Sequence, residues 1–154
     1  MFLDRDGVIN VKIEGDYVRN WSQFEFVPAV TDWIRLFNAL DFLVIVVTNQ
    51  RGVALGRMTE TDVDNIHGYM LRELASRGAR IDDIYVCPHG EECCDCRKPK
   101  PGMIYKARQK WDLDLSGSLL IGDSDSDAHL ADACGLRFLR ALNGRLTPDR
   151  RPQD

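Results

Sequence analysis

The run Phe42-Leu43-Val44-Ile45-Val46-Val47 is apolar without a break, and four of its six residues are β-branched. A strand with one face in water would alternate, so an unbroken run describes a strand covered on both faces. Helices packed on each side of a parallel sheet provide that cover. Further strands are read at Phe2-Leu3, 81–87, 119–121 and 136–139. Helical patterns lie between them. Pro28 is suited to open one, with Val30, Trp33, Ile34 and Phe37 along a single face to about residue 40. Thr59, with Asp62 three positions on, caps a second helix; its stripe is Val63, Ile66, Met70, Leu71 and Leu74, and Gly78 stops it. Residues 103–111 and 130–134 read as two more. This alternation predicts an α/β fold with a doubly wound parallel sheet. No repeat or linker divides the chain, so 1–142 is expected as one domain. Residues 143–154, polar and holding Pro148 and Pro152, are expected as a frayed tail.

Composition narrows the function classes. The chain has 154 residues, 44% hydrophobic and 29% charged, with a formal net charge of −4. That balance argues against broad nucleic-acid affinity but leaves room for a local cationic pocket. No apolar run approaches the ~20 residues of a membrane span, and no leader pattern opens the chain. A cytoplasmic monomer acting on a small molecule is expected. Only three residues precede Asp4, so the true start is expected to lie a few residues upstream.

The chemistry begins at Asp4-Arg5-Asp6-Gly7. If Phe2-Leu3 ends a buried strand, Asp4 and Asp6 face the same way at the carboxyl edge of the sheet, where open α/β folds bind ligands. Two carboxylates there can divide the work, one ionised as a nucleophile and the other carrying a proton as general acid. Gly7 lets the chain turn just beyond them. Asp and Gly also make plain surface turns, so the reading depends on what the later strand ends supply. The first of these is Thr48, whose hydroxyl and following N–H can bind phosphate oxygens. Arg97-Lys98 offers fixed cations before a helix, a suitable means of stabilising a phosphoryl group in transfer. Asp123, opening the acidic run after 119–121, can complete an oxygen-rich magnesium site with Asp4. Each motif alone is weak; their order, each at a strand end, is far stronger.

Five cysteines are present, and four of them fall within ten positions. In a reducing compartment such crowding favours metal over disulfides. Cys87-Pro-His89 and Cys94-Asp-Cys96 form two close ligand pairs that suit tetrahedral zinc, with Cys93 as a substitute for Cys94. Four protein ligands leave no open position, so this zinc is structural. Ordering a polar loop costs about 1–2 kcal/mol per residue, and a structural zinc supplies on the order of 10–16 kcal/mol. Cys134 reads as core.

Asp4-Arg5-Asp6-Gly7, Val47-Thr48-Asn49, Lys98 and Gly122-Asp123 with Asp127 resemble, in order, the four motifs of the haloacid dehalogenase-like phosphatases. The resemblance spans almost the whole chain. It implies a Rossmann-like core without a separate cap domain, magnesium, and an aspartyl-phosphate intermediate. By it Asp4 is the nucleophile, Asp6 the general acid and then base, and Thr48 with Lys98 holds the phosphoryl group. Asp4, the Asp6 carbonyl and Asp123 hold magnesium. The Cys-Pro-His and Cys-Asp-Cys-Arg-Lys-Pro segments are similar to the zinc-bearing branch of heptose-bisphosphate phosphatases and histidinol-phosphatases. In that branch substrate contacts fall on Glu14, Gly15, Asp16 and Tyr17, on Thr48, Asn49, Gln50 and Arg51, and on Arg97. Ser124 stands where such proteins commonly carry a basic residue, with Arg51 and Lys100 as substitutes. The expected substrate is a seven-carbon sugar bisphosphate, because Arg97 beside Lys98 suits a second phosphate. Histidinol phosphate is the alternative, and a catalytically silent zinc-stabilised module is the reading from another class.

Overall fold

The structure, a computed structural model, describes residues 1–91 and 94–148. Its strands are β1 (Phe2–Leu3), β2 (Ile45–Asn49), β3 (Asp83–Cys87), β4 (Leu119–Gly122), β5 (Arg137–Leu142) and β6 (Arg145–Pro148), and its helices are α1 (Val30–Ala39), α2 (Glu60–Ser76), α3 (Gly102–Trp111) and α4 (Asp125–Cys134). The strands form one sheet in the order β3-β2-β1-β4-β5-β6, parallel except for β6. Both sheet faces are buried, as the unbroken apolar runs require. Leu3, Val46 and Ile121 share one core with Val30 and Ile34 of α1 and Met70 and Leu74 of α2. Phe2, Ile45, Val47 and Leu120 share the other with Met103 and Ile104 of α3 and Leu130 and Ala131 of α4. Alternate residues of each strand therefore feed opposite cores. No helix among the described residues is long and apolar enough to cross a membrane.

Several boundaries move from the sequence expectation, each for a local reason. The strand expected at 42–47 begins at Ile45, because Phe42 turns back under Phe37 with ring centroids 5.5 Å apart. It continues through Thr48 and Asn49, whose backbones pair with Val86 and Cys87. α4 starts at Asp125 rather than 130, since Ser124 and Asp127 form a capping box inside the acidic run. The same device at Thr59 and Asp62 opens α2 as expected. Residues 145–148 are not a frayed tail. Asn143 and Gly144 both take positive φ, 47° and 74°, and an Asn-Gly pair of that kind closes a β-hairpin. It returns β6 antiparallel along β5, with Pro148 at the end of an edge strand where its missing N–H costs least.

Candidate active site

The strand order reverses about β1, which lies between β2 and β4, so the carboxyl ends of these strands define the crevice where such sheets bind ligands. Asp4 leaves β1 there, its N–H still bonded to the Ile121 carbonyl at 2.9 Å. The chain then turns abruptly, with the Ile9 N–H donating to the Arg5 carbonyl at 2.7 Å. Gly7 makes this possible. Its φ is 85°, and a Cβ there would lie 2.3 Å from Asp123 Oδ2.

Lys98 Nζ reaches Asp4 Oδ1 at 2.9 Å and Asp127 Oδ1 at 2.7 Å, and all three side chains are buried. Asn49 fixes the Lys98 backbone: its Oδ1 accepts from the Lys98 N–H at 3.0 Å and its Nδ2 donates to the Lys98 carbonyl at 3.3 Å. Burial pushes the Asp4 carboxyl up to about 7; Lys98 pulls it down and Asp127 adds to the rise. Burial works to lower Lys98, but Asp4 and Asp127 hold its ammonium above the ordinary value. Asp4 thus rises chiefly because it is buried, whereas Lys98 rises because two carboxylates face its ammonium, and it keeps its proton.

Asp6 is held differently. Its Oδ1 accepts from Arg5 Nη2 at 2.9 Å and Asn10 Nδ2 at 3.0 Å, and its Oδ2 from Gln50 Nε2 at 2.8 Å. Burial alone would raise its pKa, yet Arg5 and these donors together hold the carboxyl below its usual range. The resting site thus reverses the expected split, with Asp6 the more firmly ionised of the pair. Arg5 is fully buried and also donates from Nη1 to His67 Nε2 at 3.2 Å. Burial, then the Arg5 charge, lowers His67 to about 3 and keeps it a neutral acceptor. Arg5 and His67 were missed from the sequence, although each left a signal. Arg5 stands between the two paired aspartates in sequence, and His67 lies on the apolar stripe of α2.

Thr48 is buried and its Oγ1 accepts from Gln50 Nε2 at 2.9 Å. Gln50, expected to touch substrate, has no exposed surface, and its Nε2 donates to both Thr48 and Asp6, which it orients. A cavity of about 210 Å³ opens over the carboxylates, and Asp16, Tyr17 and Asn49 line it with Lys98 and Asp123. The excursion carrying Asp16 and Tyr17 is closed at its base by Val11 N–H to Glu25 O at 2.7 Å. It is fastened to α2 by Trp21 stacking on Tyr69 at 5.5 Å. Glu14 and Gly15 are exposed on this excursion outside the cavity lining; Glu14 faces a neighbouring cavity. Arg97 is half-buried next to Lys98, with its Nη1 buried and without a hydrogen-bond partner among the described residues. The substitutes for a cation at 124 are otherwise engaged: Arg51 pairs with Glu91 at 2.7 Å, and Lys100 donates to the Cys94 carbonyl at 2.7 Å. Ser124 caps α4. The cation that does line the cavity there is Lys12, bonded to Asp123 Oδ2 at 3.0 Å and unforeseen in the sequence.

Among the described residues, two groups of side chains suit metal ions. Oxygens of Asp4, Asp123 and Asp127 lie within 4.8 Å of one another. Asp123 Oδ1 is buried with no partner among the described residues, an acceptor left for a cation. Asp127 is already committed to Lys98 and to the Ser124 cap, which leaves Asp4 and Asp123 as the available carboxylates. Cys87, His89, Cys94 and Cys96 form the second group. Cys87 Sγ is 3.6 Å from Cys94 Sγ and 3.7 Å from His89 Nδ1, and His89 Nδ1 is 3.3 Å from Cys96 Sγ. Bonds of about 2.3 Å to sulfur and 2.0–2.1 Å to nitrogen put tetrahedral ligand atoms roughly 3.5–3.8 Å apart, close to these spacings. Cys93 lies outside the described residues.

Comparison with known proteins agrees with this geometry. Residues 95–153 match the HAD-hydrolase-like family model. The chain is 46% identical over 133 residues, 85% of this chain and 70% of its relative, to the D-glycero-alpha-D-manno-heptose-1,7-bisphosphate 7-phosphatase of Mycobacterium bovis. It is 43% identical over 147 residues, 90% of this chain and 81% of the relative, to the corresponding beta-named enzyme of Rhodopseudomonas palustris. Among solved structures, the D,D-heptose 1,7-bisphosphate phosphatase of B. bronchiseptica, complexed with magnesium and phosphate, superposes with a TM-score of 0.84 at 35% identity, covering 90% of this chain and 77% of that one.

Proposed function

The chain belongs to the haloacid dehalogenase-like hydrolases, and from that premise we propose that it is a magnesium-dependent phosphatase removing the 7-phosphate of D-glycero-D-manno-heptose 1,7-bisphosphate. The observation that carries this reading is the Asp4 carboxylate at the strand-order reversal, 2.9 Å from a buried lysine and beside the unpartnered oxygen of Asp123. Asp4 Oδ attacks phosphorus as the bond to the sugar O7 breaks, giving an aspartyl phosphate and the free alcohol. Asp6 delivers the proton to O7, then takes one from the water that displaces phosphate from Asp4. The arriving phosphoryl dianion raises the proton affinity of Asp6 by like-charge repulsion, which prepares it as the acid. Lys98 and Thr48 hold phosphoryl oxygens, and Asn49 keeps Lys98 in line. Asp4, Asp123 and the Asp6 carbonyl would hold magnesium, whose charge would stabilise the phosphoryl group in transfer. Cys87, His89, Cys94 and Cys96 would hold a structural zinc that fixes the approach to Arg97 and Lys98.

The deciding experiment measures phosphate release from both anomers of the heptose bisphosphate, histidinol phosphate and simple sugar phosphates, with and without magnesium. A heptose bisphosphate should be the preferred substrate, and its turnover should require magnesium. Preference for histidinol phosphate, or silence across the panel, would overturn the reading. Two variants refine it. Asp6→Asn should slow turnover by roughly 10²–10⁴, the usual worth of a positioned acid–base group, and turnover near that of the wild type would remove Asp6 from that role. Arg97, half-buried with an unpartnered nitrogen, is available to the second phosphate. Arg97→Ala should therefore cost about 10- to 100-fold in kcat/KM on the bisphosphate, in keeping with a lost charged hydrogen bond, and far less on the 7-monophosphate. Equal losses on the two would sink the pairing.

A further inference from the structure

Lys12 reaches the proposed magnesium ligand Asp123 from the excursion, Nζ to Oδ2 at 3.0 Å. Its side chain is 45% exposed, so it has room to move while the Val11–Glu25 hydrogen bond keeps its backbone in place. Lys12 and Lys98 are the two cations lining the cavity among the described residues, and Lys98 is locked between Asp4 and Asp127. The linked ion pairs around Asp4 and Asp123 join four carboxylates, Asp4, Asp6, Asp123 and Asp127, with three cations, Arg5, Lys12 and Lys98, while Asp16 in the cavity wall is paired separately with Arg19 and Arg57. One negative charge is in excess. A divalent cation alone would reverse that sign and set two cations against each other at Asp123; a phosphate dianion alone would deepen the excess. Arriving together they leave the balance as it was.

We propose that Lys12 is a resident counter-ion of the metal site: it holds Asp123 in the metal-free protein and turns to the phosphoryl group when metal takes Asp123, so that metal and phosphate bind cooperatively. The inference rests on the magnesium reading above. Coupling of this kind is a free-energy linkage and acts equally in both directions. The plain competing account is an exposed ion pair of little consequence.

The test titrates Mn²⁺, a hard divalent probe, into the wild type, Lys12→Gln and Lys12→Arg by calorimetry, with and without inorganic phosphate. Lys12→Gln should bind Mn²⁺ alone about three- to tenfold tighter, the range of a modest coupling. Phosphate should then strengthen Mn²⁺ binding less than it does in the wild type. Lys12→Arg, which keeps the charge, should behave as the wild type. Unchanged or weaker Mn²⁺ binding in Lys12→Gln would overturn the inference while leaving the magnesium reading intact. A wild type that binds no Mn²⁺ would remove both.

Discussion

Asp4→Asn should abolish phosphate release, by about 10⁴-fold or more, the scale on which loss of a nucleophile acts, while the protein stays folded. The amide cannot form the acyl phosphate, and no other carboxylate among the described residues is free to take its place. Asp6 is held by Arg5, Asn10 and Gln50, and Asp127 by Lys98 and Ser124. The fold survives because Lys98 keeps Asp127 at 2.7 Å. Stability should even favour the variant in metal-free protein. A carboxyl raised in the fold to about 7 contributes its stability below the unfolded value of 3.8 and loses it as pH climbs through about 7. Removing that ionisation should therefore leave Tm no lower than the wild type near pH 8. Circular dichroism melts alongside the phosphate assay check both statements. Turnover within tenfold of the wild type would end the assignment of Asp4 as nucleophile.

Loss of the thiolate cluster should have the largest effect on stability. Cys87 and Cys96 are buried in the core beneath α3, and Gly102, the first residue of α3, packs against this loop so closely that a Cβ would lie 2.6 Å from the Asp95 carbonyl. A metal held there joins β3, the loop and α3. Cys87→Ser or Cys96→Ser should remove the one zinc expected per chain and lower Tm by roughly 10 °C or more, given about 2–4 °C per kcal/mol for a chain of this size. Turnover should fall as well, since Arg97 and Lys98 follow directly on the cluster. Elemental analysis finding no zinc in wild-type protein prepared without chelator would refute the metal, and unchanged melting in both variants would refute its structural role.

Much of the fold was legible because its causes are local. The apolar run in β2, the Thr59–Asp62 box and the break at Gly78 need only neighbours in sequence to act. The hairpin at Asn143-Gly144 is equally local, but the polar composition and two prolines of the segment suit a frayed tail as well as an edge strand. The motifs at Asp4, Thr48 and Asp123 could be read as one site, since a parallel sheet brings the carboxyl ends of its strands to the same edge, and Lys98 joins them from the loop before α3. The Cys and His spacing likewise carried its chemistry in the residue types themselves.

By itself, then, the sequence determined the α/β class, the edge on which the chemistry collects and the residue types that carry it. The tertiary structure alone decided which side chain faces which. Lys12 meets Asp123 across 111 residues, Arg5 meets His67 across 62, and Lys98 meets Asp127 across 29. Such pairs depend on strand order and on the face each helix turns inward, so no local pattern encodes them. Burial, which works to raise both Asp4 and Asp6, arises in the same way from the packing of the whole chain, whereas the Arg5 charge that helps hold Asp6 down comes from its own neighbour in sequence.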